Sequence, residues 1–489
     1  MTKTALAPTP INKRIIGLDV LRGVALFGIL VVNMSQFFQI SEFANKPISM
    51  IPDEQGVWAI WGFVYTLFDT KFFTVFSFLF GLSFALQWQR AETSNRISFP
   101  KIYRRRLLFL ALFGIIHGVF FYSADVLFMY AVAGLILFWC RKKDAGKLMR
   151  GGFIILLIIV LWNHILETSF AGFSFLKLIV SLLIILLPLL FASKLKPTKF
   201  IILGICLLII PIMLFQLPNN INLDEHEEFN EKLNMVQQYN TLNRSEIEID
   251  GNIYDFPPDI SLTKEVLFGN TSAPTFKYLS YTSGSFEIAT LTRISEFKTI
   301  LFFGFILYIW RSLGIFLIAA GLVKWGILQY EMRPLWKKYA FIGLSVGLSL
   351  SLVATLLKYN SYNGPHFSNI YADFFHDISS YILALGISAL VMIWSNTKIL
   401  NAIRIKLSEV GKMALTNYLG QSFIMSIVAN GYGFGLHSKL SLLTQLSLAI
   451  IVFVIMAFLS SLWIKYFKMG PLEWIWRCLT YSKLLSLKK

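Results

Sequence analysis

A histidine and an aspartate lie close together in the sequence, at the junction of two apolar runs. His117 lies near the end of the first run, and Asp125 opens the second run after the turn Tyr122-Ser123-Ala124. A helical hairpin there would pair the two side chains, and the carboxylate would fix the imidazole tautomer and raise its basicity. The sequence therefore predicts either a general base for a hydroxyl or amine, or a buried hydrogen bond that only holds the hairpin.

Further polar side chains interrupt apolar runs near the same predicted end of the chain's helices. An ionisable group at membrane depth is costly, so it usually faces the interior of a helix bundle. Lys71 or Asn33 could polarise a carbonyl group under attack, and we predict that Lys71 joins the histidine–aspartate pair in a pocket that opens outward. We assign Asn33, Asp69 and Asn417 to substrate binding, although Asn417 could instead bond between helices.

Basic side chains define a second candidate site near the other ends of the runs. Arg22 follows Asp19 by three residues, so the two can share a helix face and pair, or Arg22 can meet a phosphate or carboxylate. Arg104, Arg105 and Arg106 begin another apolar run. Guanidinium groups bind phosphates by strong, charge-assisted hydrogen bonds, so these four arginines are the predicted phosphate site.

The elements that carry these residues are apolar enough to be membrane helices. The chain has 489 residues, of which 56% are hydrophobic and 15% charged, whereas a soluble domain is about a quarter charged. We predict an all-α polytopic bundle of about 10–12 spans, each of roughly 20 residues. The apolar segments are 15–39, 57–89, 104–121, 125–140, 151–168, 173–193, 199–217, 298–323, 335–357, 373–395, 411–430 and 441–467.

The second segment is too long for one straight span, and Asp69 and Lys71 interrupt it. A helix of that length would overshoot the hydrocarbon core of a bilayer. We therefore expect residues 57–68 to form an interfacial or re-entrant helix, and residues 71–89 to cross the membrane.

Charge distribution predicts the orientation of the chain. The net charge is +17, but the basic residues form short clusters between apolar runs, which argues against nucleic acid and for membrane loops. Every second loop is basic, so both termini are predicted to be cytoplasmic. Residues 218–298 instead hold 13 Asp or Glu against 6 Lys or Arg, as expected for an extracytoplasmic loop.

These features divide the chain into five predicted parts. They are a cytoplasmic N-terminus (1–14), an N-terminal bundle (15–217), an acidic extracytoplasmic loop (218–297), a C-terminal bundle (298–467) and an amphipathic cytoplasmic tail (468–489). The three cysteines form no CxxC pair, so neither a disulfide framework nor a metal site is predicted. The predicted partners are the bilayer and a small-molecule acceptor or solute, and a homo-oligomer is left open.

Several short strings occur in an order that resembles a known family. They are Gly17-Leu18-Asp19-Val20-Leu21-Arg22-Gly23, Asp69-Thr70-Lys71-Phe72-Phe73, Phe113-Gly114-Ile115-Ile116-His117-Gly118, Gly411-Lys412-Met413-Ala414-Leu415-Thr416-Asn417-Tyr418 and Gly470-Pro471-Leu472-Glu473-Trp474-Ile475-Trp476-Arg477. Together they resemble the YeiB-like family of bacterial membrane proteins, a family of unknown function. The resemblance covers nearly the whole chain and implies the bacterial cytoplasmic (inner) membrane.

The YeiB-like family is similar at its first spans to transmembrane acyltransferases such as heparan-α-glucosaminide N-acetyltransferase. This similarity implies transfer of an acyl group from cytoplasmic acyl-CoA (acetyl-CoA) to an acceptor on the far side. The catalytic histidine of those enzymes follows their first span, whereas this chain has no histidine between residues 23 and 116, so His117 would take its place. The alternatives are a small-solute transporter or exporter, and a membrane sensor or assembly factor.

Overall fold

The structure, a computed structural model, describes residues 15–39, 44, 56–93, 99–169, 246–249, 252–255, 273–306, 308–329, 332–362 and 367–489. Two predicted spans, 173–193 and 199–217, lie outside these residues. The described helices are α1 (Ile16–Phe38), α2 (Val57–Leu67), α3 (Lys71–Thr93), α4 (Phe99–Phe120), α5 (Leu127–Cys140), α6 (Ala145–Ser169), α7 (Ala273–Thr282), α8 (Phe286–Ile306), α9 (Tyr308–Trp325), α10 (Arg333–Tyr362), α11 (Phe367–Trp394), α12 (Asn401–Lys412), α13 (Ala414–Ala429), α14 (Leu442–Tyr466) and α15 (Pro471–Tyr481).

The predicted all-α polytopic bundle is confirmed. Within the described ranges, six helical segments are long and apolar enough to cross a membrane: 16–38, 57–93, 308–325, 333–361, 371–394 and 442–466. Helix α5 is equally apolar but shorter. The described strands are β1 (Glu246–Ile249) and β2 (Asn252–Asp255), an antiparallel hairpin within the acidic stretch 218–297.

The predicted division of the second apolar segment is also confirmed. Helix α2 ends at Leu67 and α3 begins at Lys71. Between them Thr70 adopts a left-handed backbone conformation with φ of 58°, which is unusual for a β-branched residue. The segment is therefore two helices joined by a sharp turn.

Two other predicted spans have different boundaries in the structure. The span 298–323 falls on α8 and α9, and α7 and the first residues of α8 lie within the stretch predicted as a loop. The span 411–430 begins within α12 and continues as α13, since the helix is interrupted at Met413. The amphipathic α12 occupies a stretch that the sequence predicted as a basic loop.

Glycines bring α12 into direct contact with α1. A Cβ atom added to Gly411 would lie 1.8 Å from the carbonyl oxygen of Asp19, and one added to Gly23 would lie 2.2 Å from that of Leu407. Small residues allow helix backbones to approach closely in membrane proteins. This contact fixes the beginning of α1, and therefore Asp19 and Arg22, beside the junction of α12 and α13.

The tail closes the same region of the bundle. Glu473 on α15 is buried, and its carboxylate accepts hydrogen bonds from the backbone amides of Leu415 (2.6 Å) and Thr416 (3.2 Å) and from the Thr416 hydroxyl (2.6 Å). The first amides of a helix have no partner within the helix, and a carboxylate there also complements the helix dipole. The predicted amphipathic tail thus caps α13 and packs on α4.

Candidate functional site

A deep cavity of about 350 Å³ opens where α1 begins, α3 ends and α4 begins. We call this end of the bundle the basic end. The α3 residues that line the cavity run from Phe76 to Ala91, which spans roughly 22 Å at 1.5 Å per residue. The cavity is therefore elongated and extends from the basic end far into the bundle.

Among the described residues, five cationic side chains line the cavity near the basic end. They are Arg22, Arg90, Arg106, Lys412 and Arg477. The two carboxylates that line it are already engaged, because Asp19 pairs with Arg22 and Glu473 caps α13. The mouth of the cavity therefore carries excess positive charge and suits an anionic ligand.

Two of these arginines are held in place by neighbouring side chains. Arg22 donates to the Asp19 carboxylate at 2.5 Å and to the Ser83 hydroxyl at 2.9 Å. Arg106 donates to the Gln87 side-chain oxygen at 3.1 Å, and its guanidinium lies 4.2 Å from the centre of the Trp476 ring. Positioned guanidinium groups lose less conformational entropy when they bind a phosphate.

The inner end of the cavity reaches the neighbourhood of His117. Leu127, Tyr130 and Tyr418 line it there. The ring centres of Tyr418 and His117 are 5.0 Å apart. A ligand that fills the cavity therefore ends about one aromatic ring away from the histidine.

The predicted pairing of His117 with Asp125 is confirmed. Nδ1 of the imidazole lies 2.8 Å from a carboxylate oxygen of Asp125, and both side chains are fully buried. The second carboxylate oxygen accepts from the backbone amides of Leu127 (2.8 Å) and Phe128 (3.2 Å), at the start of α5. Asp125 thus both holds the hairpin and orients the imidazole.

The other imidazole nitrogen has no such partner. Nε2 of His117 is buried, and no described residue hydrogen-bonds to it. When Nδ1 donates to the carboxylate, Nε2 carries the lone pair that a general base uses. Gly114 makes room for the pair, since a Cβ there would lie 2.6 Å from the Asp125 carboxylate.

A small pocket of about 30 Å³ lies at the opposite end, where α1 and α4 end. Tyr122 lines it, and the ring centres of Tyr122 and His117 are 5.9 Å apart. His117 therefore lies between the deep cavity and the small pocket, with one tyrosine ring on each side.

The structure does not bring Lys71 into either space. Lys71 is fully buried, and its Nζ donates to the carbonyl oxygen of Tyr65 at 2.8 Å. Asp69 lies close by and faces His376, with 3.6 Å between carboxylate oxygen and Nε2. The deep cavity opens at the basic end, and the structure does not bring Lys71, His117 and Asp125 together around one outward-opening pocket.

The other residues assigned to substrate binding also line neither space. Asn33 is half-buried on α1, beyond the cavity. Asn417 donates to the carbonyl oxygen of Val410 at 3.1 Å and to the Ser460 hydroxyl at 3.0 Å, which are bonds between helical elements. The alternative role of Asn417 as a link between helices therefore fits its contacts better.

Two of the four arginines of the predicted phosphate site line the deep cavity. Arg22 and Arg106 line the cavity, whereas Arg104 is exposed and Arg105 donates to the carbonyl oxygen of Leu479 at 2.7 Å. Successive helical residues point in different directions, so three adjacent arginines cannot all face one cavity.

The fold and the cavity define an integral membrane protein with a cation-lined, elongated site. Residues 322–483 match the family described as "Protein of unknown function (DUF418)". The chain is 25% identical to "Uncharacterized protein YxaH" of Bacillus subtilis over 99% of both chains, and 24% identical to "Uncharacterized protein YeiB" of Escherichia coli over 96% of both. These matches confirm the predicted resemblance to YeiB-like, DUF418 proteins. No solved structure matches the chain.

A buried histidine beside the small pocket gives a pH-dependent prediction. Burial lowers the pKa of His437 to about 4, from an ordinary value of about 6.5. Because the unfolded chain binds this proton more readily, acidification from pH 6.5 to 4 should favour unfolding by up to about 3 kcal/mol. We expect the melting temperature in detergent to fall more steeply over this range for the wild type than for His437→Gln. Equal slopes of melting temperature against pH for the two proteins would contradict the lowered pKa of His437.

Proposed function

We propose that the protein is a membrane acyltransferase that takes an acyl group from acyl-CoA at the basic end and passes it to an acceptor at the opposite end. The observation that carries the proposal is the position of His117. Its Nε2, which has no hydrogen-bond partner among the described residues, lies between a cation-lined cavity and a second, small pocket.

The shape and charge of the deep cavity fit an acyl-CoA. Its phosphates would bind at Arg22 and Arg106, with Arg90, Lys412 and Arg477 nearby. The narrow pantetheine arm would then follow α3 inward toward Tyr418. A volume of about 350 Å³ lies within the range of small-molecule sites.

The chemistry requires one proton acceptor and no further reagent. The hydroxyl or amine of the acceptor attacks the thioester carbonyl, so a new bond to the acyl carbon forms and the carbon–sulfur bond breaks. His117 takes the proton of the nucleophile through Nε2 and returns it to the departing thiolate. Asp125 holds the imidazole and stabilises the imidazolium between these steps. The ring of Tyr418 or Tyr122 must move aside to admit the reactants.

The proposed orientation follows from charge. Basic loops favour the cytoplasm, so the basic end would face the supply of acyl-CoA, with both termini inside the cell. The acidic stretch 218–297 would then lie on the acceptor side, and the membrane would be the bacterial cytoplasmic membrane. The proposal keeps the predicted division into an N-terminal bundle (15–217), a C-terminal bundle (298–467) and a cytoplasmic tail (468–489).

Acyl-CoA binding to the purified protein tests the proposal. We expect Arg106→Ala to weaken binding of acetyl-CoA at least tenfold, because a charge-assisted contact to phosphate and the Trp476 stack are lost together. Arg104→Ala is the matched control, since Arg104 is exposed and two residues away. Binding should weaken further as salt is raised. Equal affinities of the two variants, or no binding by the wild type, would refute the acyl-CoA site.

A transporter is the second candidate, because charged side chains cluster away from the deep cavity. Arg311 on α9 pairs with Asp377 on α11 at 3.1 Å and donates to the Ser380 hydroxyl at 2.7 Å. Buried charges of this kind often mark solute or proton pathways. Solute flux across liposomes without consumption of acetyl-CoA would favour this reading over the enzyme.

A further inference from the structure

A buried arginine that pairs with no carboxylate among the described residues lines the small pocket. Arg293 on α8 is 2% exposed. Its guanidinium donates to the hydroxyls of Tyr432 (3.3 Å), Ser426 (3.5 Å) and Thr290 (3.1 Å). Its Nε hydrogen has no acceptor among the described residues. The rings of Phe286 and Tyr432 also lie 5.7 Å from the guanidinium. A buried guanidinium whose described contacts are all neutral is poorly compensated and favours an anion.

The nearest carboxylate on the same helix already has other hydrogen-bond partners. Glu296 lies one turn from Arg293 and also lines the pocket. Its carboxylate accepts from the hydroxyls of Ser123 (2.9 Å) and Tyr281 (2.7 Å), and Lys277 lies 3.7 Å away. In the part of the chain that the structure describes, Arg293 and Glu296 do not form an ion pair. The positive charge of Arg293 is therefore left for a ligand.

The size of the pocket limits what part of a ligand can enter. A volume of about 30 Å³ holds roughly two or three water molecules. That is enough for the oxygen atoms of a carboxylate or phosphate and too little for a whole sugar or nucleotide. The rest of such a ligand would lie outside the pocket.

We propose that the small pocket binds the anionic group, a carboxylate or phosphate, of the acceptor molecule through Arg293. The assignment to an acceptor rests on the proposed function, whereas the anion site itself rests on the pocket alone. Tyr122 lines the pocket and lies against His117. An acceptor anchored at Arg293 would thus have its hydroxyl or amine within a short reach of the histidine. The acceptor class is a small oxyanion that also carries a nucleophile.

Thermal unfolding of the full-length protein in detergent tests the anion site without acyl-CoA. Acetate and inorganic phosphate are titrated separately, with chloride keeping the ionic strength constant. Binding to the folded state alone stabilises it in a saturable way. We expect at least one anion to raise the melting temperature by several degrees in the wild type and in Arg106→Ala, which alters the deep cavity. Arg293→Gln should lose the part of the shift that Arg106→Ala retains. The anion that raises the melting temperature identifies the anionic group of the acceptor as a carboxylate or a phosphate.

Two results would overturn the anion site. One is a wild type that neither anion stabilises, and the other is a folded Arg293→Gln variant that keeps the full shift. If Arg293→Gln does not fold, Arg293→Lys replaces it and should bind the anion at least tenfold more weakly, because the planar fork of hydrogen bonds is lost. Unchanged affinity would again overturn the site. An Arg293-dependent shift without any acyl transfer would instead refute only the proposed function.

Discussion

His117→Ala is expected to lower the rate of acyl transfer by about 100-fold to 10,000-fold, the usual contribution of a general base. The imidazole is held by Asp125 at 2.8 Å, and its Nε2 is the unpartnered nitrogen between the deep cavity and the small pocket. The measurement is transfer of a radiolabelled acetyl group to the acceptor fraction by protein reconstituted in liposomes.

A second variant separates chemistry from folding. His117→Gln keeps a side chain that can hydrogen-bond Asp125 but has no basic nitrogen, so it should fold and still be inactive. Affinity for acetyl-CoA should stay within a factor of about three in both variants, because the phosphates bind near the other end of the cavity, roughly 20 Å away along α3. Full activity of His117→Gln would remove the histidine from the mechanism.

The residues near His117 show what the sequence could predict. The pairing of His117 with Asp125 was predictable because a short turn joins two apolar runs, and two helices joined in this way form a hairpin. The break at Thr70 was predictable because a single span of that length does not match the bilayer. Both inferences depend on residues close together in the sequence, where spacing alone determines proximity.

The deep cavity was not predictable in the same way, because residues far apart in the sequence form it. Lys412 and Arg477 come from the C-terminal third of the chain, and Arg90 comes from the end of α3. In the sequence, Lys412 belongs to a family-like string and Arg477 to the predicted amphipathic tail, so neither is predicted to bind phosphate. The contact of α1 with α12 and the capping of α13 by Glu473 bring Lys412 and Arg477 to Arg22.

The contacts of Lys71 could not be predicted from its position in the sequence. A lysine at the start of a membrane helix suggested a catalytic cation, but the sharp turn before α3 directs its Nζ to the carbonyl oxygen of Tyr65. That carbonyl lies near the end of α2, where backbone oxygens lack helical partners. Lys71 therefore stabilises the junction of α2 and α3, and its catalytic role remains an untested prediction.

The arrangement around His117 separates two chemical environments. The deep cavity supplies positive charge at the basic end, whereas the small pocket supplies one buried guanidinium near the opposite end. Water is excluded from the imidazole by the rings of Tyr418 and Tyr122. Such exclusion would protect a thioester from hydrolysis until an acceptor arrives. In the proposed mechanism the tyrosines would control access, because reactants reach His117 only when one of the two rings moves.

Gly411→Ala is expected to have the largest effect on the fold and to abolish acetyl-CoA binding. The added methyl group would lie 1.8 Å from the Asp19 carbonyl oxygen and 3.1 Å from Cβ of Arg22. Backbone atoms cannot rotate away as a side chain can, so α1 and α12 must separate. Separation would displace Arg22 from Ser83 and widen the cavity mouth. A loss of several kcal/mol is the usual result of overpacking against a rigid neighbour.

The matched control for this variant is Gly62→Ala on α2, where the new methyl group would meet only a methyl carbon of Thr355, at the ordinary distance of 3.5 Å. Both changes add one methyl group and both raise helix propensity by about 1 kcal/mol, so a difference between them reports the helix contact alone. We expect Gly62→Ala to match the wild type in melting temperature, whereas Gly411→Ala should melt at least 10 °C lower or fail to purify as a folded protein. A Gly411→Ala protein with normal stability and normal acetyl-CoA affinity would show that α1 and α12 are not in contact. The opening of the deep cavity could then not be formed as described.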